Sequence, residues 1–254
     1  MMNFKEKNLL KQQVFEVYRK LFFSKATLDQ CLQKATPSQM EMMYLIATTE
    51  LESRQHSRKV RYVRNANFPV LKTFADYDFS HVKFPELLDK QEMLSLRFIG
   101  EHKTLVWYGS CGTGKTHATI ALGILACNND FKVKFFTVSQ LVLLLKKAHY
   151  DGSLEKVLHL LSHQDLLILD ELGYIPMDLE SAQLLFRVIS DAYERKSLII
   201  TTNLPFSEWG KTFTDDQLAA AMIDRIVHHG HLIQTGDKDW RLEHSLMLNK
   251  RRAQ

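Results

Sequence analysis

Between Gly109 and Thr116 the chain reads GSCGTGKT, three glycines in six positions and then a lysine and a threonine. No other stretch narrows the possible folds so far. Glycines let a loop turn tightly enough for successive backbone N–H groups to point inward at one anion. The pattern G-x-x-x-x-G-K-S/T is met at every required position, and at average residue frequencies a chain of this length meets it by accident in roughly one case in a hundred. An apolar segment, TLVWY, leads in and an apolar helical segment, HATIALGILACNN, follows. Strand, loop and helix in that order are the context in which the pattern has a mechanism. Gly109, Ser110, Cys111, Gly112, Thr113 and Gly114 form a phosphate cradle at the positive end of the helix that begins near Lys115. Lys115 reaches the β- and γ-phosphates of a nucleotide such as ATP, and Thr116 offers its hydroxyl to Mg²⁺.

The segments around the loop predict a parallel α/β sheet. FKVKFFTV, LLILDE, SLIITTN and HLIQT read as strands, and SQLVLLLKKAH, SLEKVLHLLSHQ, LESAQLLFRVISDAYERK and DDQLAAAMIDRIVHH as the helices between them. Strands alternating with helices put a parallel sheet between two helical layers. The first 68 residues differ. They contain no glycine and one proline before residue 68, Pro37, and read as helices. Thr36 is the expected N-cap of a long helix with Pro37 at its first position, and Met42, Met43, Leu45 and Ile46 are the expected buried side of it. Pro69 is expected to end that helix, and ELLDKQEMLSLRFIGEHK to form another that closes near Gly100. The expected organisation is a helical region over 1–68 and an ATPase domain over 69–254.

Two further strand ends carry chemistry. LLIL delivers Asp170 and Glu171 to the carboxyl end of a buried strand, where ligands bind in open α/β sheets. Asp170 is placed to hold Mg²⁺, and Glu171 to polarise a water for attack on the γ-phosphate. Two solvated acids at a strand end are common, but not after LLIL in a chain that already has a phosphate loop. Asn203 ends SLIITTN and can orient the attacking water, although an Asn before Leu-Pro is also an ordinary turn residue. If SLIITTN lies between TLVWYG and LLILDE in the sheet, Asn203 sits beside the γ-phosphate.

Composition adds limits rather than function. Net charge is +4 and the three cysteines lack metal-ligand spacing. No apolar run is long enough to span a membrane, and the charged start MMNFKEKNLL has no secretory apolar core, so the expectation is a cytoplasmic protein with reduced thiols. One segment is locally basic. ESRQHSRKVRYVRNA carries Arg54, Arg58, Lys59, Arg61 and Arg64 against Glu52. On a helix Arg54, Arg58 and Arg61 share a face with Arg64 at its edge. A solvated face is one reading and contact with DNA phosphates, which position without specifying sequence, is the other.

The stretches GSCGTGKTHAT, LLILDELGYIP, TTNLPFSEW and MIDRIVHHGHLI, with FPVLKTFADYDFS ahead of them, resemble the IstB/DnaC group of AAA+ ATPases over nearly the whole chain. Ser110-Cys111 stands where the family often has two prolines. The resemblance implies an AAA+ core without a full C-terminal lid, since only about 20 residues follow HLIQT. It also implies ATP hydrolysis with Mg²⁺, a homo-oligomer formed on ATP and double-stranded DNA, no membrane partner, and a transposase as the protein served. Arg225, in MIDRIVHH, is by resemblance an arginine that meets the γ-phosphate of a neighbouring subunit; Arg241 is a weaker candidate for sensing phosphate. A replicative helicase loader, a small-molecule phosphotransferase and a nucleotide-dependent switch that hardly hydrolyses remain the alternatives.

Overall fold

The computed structural model describes residues 4–174 and 176–236. Arg241 and the basic tail over 249–254 lie outside the described residues. Backbone contacts divide the chain into two compact units, 1–61 and 62–254.

The first unit is helical. Helix α1 spans Phe4–Lys20, α2 Lys25–Lys34 and α3 Pro37–Ala66, the division falling within α3. Ser24 caps α2 by accepting from the Thr27 N–H. Thr36 and Gln39 bond each other's backbone reciprocally at the start of α3, Thr36 N–H to Gln39 Oε1 at 2.8 Å and Gln39 N–H to Thr36 Oγ1 at 3.4 Å. This is the capping box, with Pro37 where its missing N–H costs nothing. The buried residues of this unit include Leu10, Val14, Leu32 and Met40, with Met43 and Tyr44 packed against them. The expected buried face of α3 is therefore corrected. Met42, Leu45 and Ile46 are more than half exposed, and the buried stripe runs through Met40, Met43, Tyr44 and Ala47. Residues 42, 45 and 46 fit the helical repeat as well as 40, 43 and 44 do; packing against Leu10, Val14 and Leu32 of α1 and α2 selects the second set. Asn67, in the left-handed conformation, stands just past the end of α3, with Pro69 two residues on.

The second unit holds strand β1 (Val82–Lys83), short helices α4 (Lys90–Leu94) and α5 (Arg97–Gly100), β2 (Thr104–Tyr108), α6 (Lys115–Asn128) and β3 (Val133–Thr137). It continues with α7 (Val138–Tyr150), α8 (Leu154–Ser162), β4 (Leu166–Leu172), α9 (Leu179–Ala192), β5 (Ser197–Thr202), α10 (Trp209–Phe213), α11 (Asp216–His228) and β6 (Gly230–Thr235). The single helix expected from Glu86 and closing near Gly100 is two short ones. Leu96 turns left-handed at φ 62° between them and buries its side chain with Met93, Phe98 and Ile99.

Among the described residues, six strands lie in the order β1-β6-β2-β5-β4-β3. All pairings are parallel except β1 on β6, a short antiparallel edge that the sequence did not announce. Alternate residues of each strand feed opposite layers, as strand geometry requires. Leu167, Leu169, Leu198, Ile200 and Val106 join the layer of α7, α9 and α11. Leu166, Ile168, Ile199, Leu105 and Trp107 join the layer of α6, α4 and α5. Both faces are covered, which is why β4 and β5 read as continuous apolar runs rather than alternating ones. Each fully buried Leu or Ile contributes about 1.5–3 kcal/mol. The sheet is thus a rigid platform, and β2, β4 and β5 end together at one edge of it. No helix among the described residues is long and apolar enough to cross a membrane.

Candidate active site

The phosphate loop leaves β2 at Tyr108 and enters α6 at Lys115. Two of its glycines are demanded by the structure. Gly114 holds φ +86° as N-cap of α6, with the Tyr77 ring 3.1 Å from where a Cβ would stand. At Gly109 a Cβ would collide with the side chain of Thr235. Thr235 also bonds Thr113, Oγ1 to Oγ1 at 2.7 Å, and donates to the Tyr108 carbonyl at 3.3 Å, so the last described strand clamps the loop from one side. Lys115 folds over the loop and donates to the carbonyls of Gly109 at 2.7 Å and Ser110 at 2.6 Å.

Strand β4 brings Asp170 under Thr116. The Thr116 hydroxyl stands 3.0 and 3.1 Å from the two carboxylate oxygens of Asp170. Asp170 is 3% exposed. Burial raises its carboxyl above the ordinary range, and the hydroxyls of Thr201 and Thr116 oppose that rise. Thr201, on β5, does more than solvate one acid. Its hydroxyl donates to Asp170 Oδ1 at 2.6 Å and accepts from the Glu171 N–H at 2.9 Å. Glu171 itself holds φ +65°, and the β4–β5 register shifts between Leu169 and Leu172. The irregularity frees Glu171 from the sheet and leaves it exposed at the cleft, while the Thr201 contact fixes its backbone. Strand β5 lies between β2 and β4, so Asn203 comes down next to the loop, its Nδ2 4.0 Å from Cys111 Sγ.

A cleft of about 730 Å³ is walled by Cys111, Gly112, Lys115, Thr116, Glu171, Thr201 and Asn203 and on the far side by Val70, Leu71 and Thr73. That is within the size range of small-molecule sites. A narrower hollow of about 70 Å³ adjoins it, lined by Tyr77, Asp78, His81, Val82, Thr113, His117 and Thr235. His117 fixes this wall by a 2.8 Å bond from its Nε2 to the Thr73 carbonyl oxygen. The Tyr77 hydroxyl is buried without a hydrogen-bond partner among the described residues, and burial first and Asp78 second push its proton affinity well above that of an ordinary tyrosine. Sequence reasoning passed over Tyr77, His117, Thr201 and Thr235. The aromatic cluster FADYDF marks Tyr77 and the paired threonines of IITTN mark Thr201; His117 and Thr235 carried no such signal.

Arg225 is elsewhere. Helix α11 ends where β6 begins, and Gly230 of β6 pairs with Thr104, the first residue of β2. The loop follows the last residue of β2, about 13 Å further along a strand of this rise. Arg225 donates to the Ala221 carbonyl at 2.9 Å and its guanidinium lies 4.8 Å from the Phe186 ring centroid. Of the basic residues on α3, Arg54 is engaged with Glu50 at 2.6 Å; Arg61 and Arg64 are exposed and Arg58 and Lys59 half-buried.

A profile of the family described as IstB-like ATP binding protein matches residues 20–247. An ATP-binding protein of insertion sequence IS21 from Pseudomonas aeruginosa is 32% identical over 219 residues, 85% of this chain and 83% of that one. Its counterpart in insertion sequence IS5376 of Geobacillus stearothermophilus is 33% identical over 218 residues, 85% of this chain and 87% of that one. Among solved structures, the DnaC helicase loader is similar in fold with a TM-score of 0.51, at 22% identity over 69% of this chain and 98% of that one. DnaI gives a TM-score of 0.51 at 17% identity, over 70% and 92%.

Proposed function

The chain belongs to the family of IstB-like ATP-binding proteins, and from that membership and the arrangement of the site we propose that it is an AAA+ ATPase that helps an insertion sequence transpose. The observation that carries the reading is the 32–33% identity to two insertion-sequence ATP-binding proteins across 85% of the chain. The protein works in the cytoplasm as a homo-oligomer on double-stranded DNA, with a transposase as its partner. The helicase-loader alternative has likeness of fold behind it, at 22% identity or less.

The site performs ATP hydrolysis in the following way. Lys115 exchanges the carbonyls of Gly109 and Ser110 for the β- and γ-phosphate oxygens, while the loop N–H groups and the α6 N-terminus hold the rest of the polyphosphate. The hollow beside Tyr77 takes the base. Thr116 and Asp170 bring a hydroxyl and a carboxylate together, an all-oxygen donor set that suits Mg²⁺, which when bound offsets the charge on the phosphates. Glu171 accepts the proton of the attacking water, and Asn203 orients that water. Arg225 lies far from the loop of its own chain and serves the γ-phosphate held by a neighbouring subunit. Residues 69–254 form the ATPase domain and 1–68 the helical region that meets DNA or a partner. There Arg58, Lys59, Arg61 and Arg64 contact phosphates, and Arg54 does so in competition with Glu50.

The test is Glu171→Gln. It is expected to bind ATP as the parent does and to lose turnover by about 10²–10⁴-fold, the usual weight of a general base. Tagged Glu171→Gln protein, held with ATP and DNA, is expected to capture the transposase of the same element. Turnover equal to the parent's would remove Glu171 as the base. Capture of a replicative helicase in place of a transposase would make the protein a loader.

A further inference from the structure

A second cluster of chemically able side chains lies at the other end of the sheet, where α9 ends and where α11 passes into β6. Chain direction brings three residues together there. Helix α9 stops at Ala192, Tyr193 caps it, and Glu194 turns left-handed at φ +57°, a conformation more usual for glycine or asparagine. Helix α11 stops at His228, His229 caps it, and the chain reverses into Gly230. A Cβ at Gly230 would collide with the carbonyl of Ile226, so only glycine allows so tight an exit. That turn puts two consecutive histidines on one side. Their ring centroids are 4.3 Å apart at 78°.

We propose that Glu194, His228 and His229 form a binding site for a divalent transition-metal ion of the Zn²⁺ class. One ligand atom from each lies within 4.8 Å of those of the other two. Glu194 Oε1 and His229 Nε2 are already 3.0 Å apart. Two imidazole nitrogens and one carboxylate oxygen are the donor set that Zn²⁺ accepts with a fourth position left to water. The side chains of His229 and Glu194 are 38% and 59% exposed, so a water and an entering ion both have access. The Tyr193 hydroxyl bonds His228 Nδ1 at 2.8 Å and limits the rotation of that ring, the kind of outer contact that orients metal-binding histidines. Arg225 and Lys196 line the same small hollow. Their positive charge weakens cation binding there and is offset by the Glu194 carboxylate. The bound ion ties the end of α9 to the α11–β6 turn, and the site shares no residue with the nucleotide cleft of its own chain.

The experiment uses the full chain without an affinity tag, stripped with a chelator. Zn²⁺ binding is titrated by competition with a chromophoric chelator, and Co²⁺ by its visible absorption. The expected result is one tight ion per chain, weakened at least tenfold in His228→Ala, in His229→Ala and in Glu194→Gln. The last change preserves size and hydrogen bonding, so it tests the ligand where a histidine variant fails to fold. His159 and His163, with ring centroids 4.4 Å apart on and after α8, are the competing pair. The variant His159→Ala/His163→Ala is expected to keep the site. Affinity unchanged in Glu194→Gln and His229→Ala, loss only in the His159/His163 variant, or no binding tighter than about 1 mM by the parent overturns the proposal.

Discussion

Replacing Thr201 with valine keeps the branched shape of the side chain and removes one hydroxyl. Two bonds go with it, the 2.6 Å donation to Asp170 and the 2.9 Å acceptance from the Glu171 N–H. The first is to a buried carboxylate, and such bonds contribute about 1.5–3 kcal/mol. The second leaves a backbone donor without its partner, at about 1–3 kcal/mol. The two share one atom and do not add fully, so the net loss is about 3 kcal/mol. For a domain of this size that lowers Tm by about 10 °C, measured by calorimetry or circular dichroism. The catalytic effect is separate. Asp170 loses the main hydroxyl that opposes its burial, and the backbone of Glu171 loses its tether. Turnover is expected to fall about 10–100-fold, the equivalent of about 1.4–2.8 kcal/mol in the barrier. Affinity for a fluorescent ATP analogue without Mg²⁺ is expected to stay within about twofold, because Lys115 and the loop are untouched. Thr201→Ser keeps the hydroxyl and should recover most of both losses. A serine variant as damaged as the valine one would refute the reasoning, since the methyl and not the hydroxyl would then matter. So would a valine variant within about 2 °C and twofold of the parent.

Arg225→Ala is expected to bind ATP normally and hydrolyse it poorly, and mixing it with Lys115→Ala protomers should restore part of the turnover, each mutant supplying what the other lacks; no recovery at any ratio, with assembly verified by sedimentation, counts against action in trans. Removing Arg58 and Arg61 should flatten the dependence of log K for DNA on log[salt] by about 1.8, at about 0.9 per phosphate contact, and leave DNA-free ATPase activity unchanged. Thiol labelling of the native protein at pH 8 should modify Cys31 and Cys111, which are exposed, and spare Cys127, whose thiol is buried and pushed up to about 12 by that burial. ATP should slow labelling at Cys111 and not at Cys31; equal protection of both would separate the loop from the nucleotide.

Some of this was determined by sequence alone because the physics involved is local. A phosphate loop is a matter of neighbours along the chain. The spacing of Gly109, Gly112, Gly114, Lys115 and Thr116 sets backbone freedom and side-chain reach before any tertiary contact forms. The apolar runs ending in Asp170 and Asn203 likewise announce strands buried on both faces. The face of α3 was not legible, because Met42, Leu45 and Ile46 compete with Met40, Met43 and Tyr44 on the same helix, and only the packing of α1 and α2 selects between them. Nor was the break at Leu96, where burial of one side chain outweighs helix continuity. The rest of the site depended on strand order. Inserting β5 between β2 and β4 carries Thr201 to Asp170 across 31 residues, and placing β6 beside β2 carries Thr235 to Thr113 across 122. Such contacts arise when the sheet closes, through loop entropy and core packing summed over the whole chain, and no short stretch of residues encodes them.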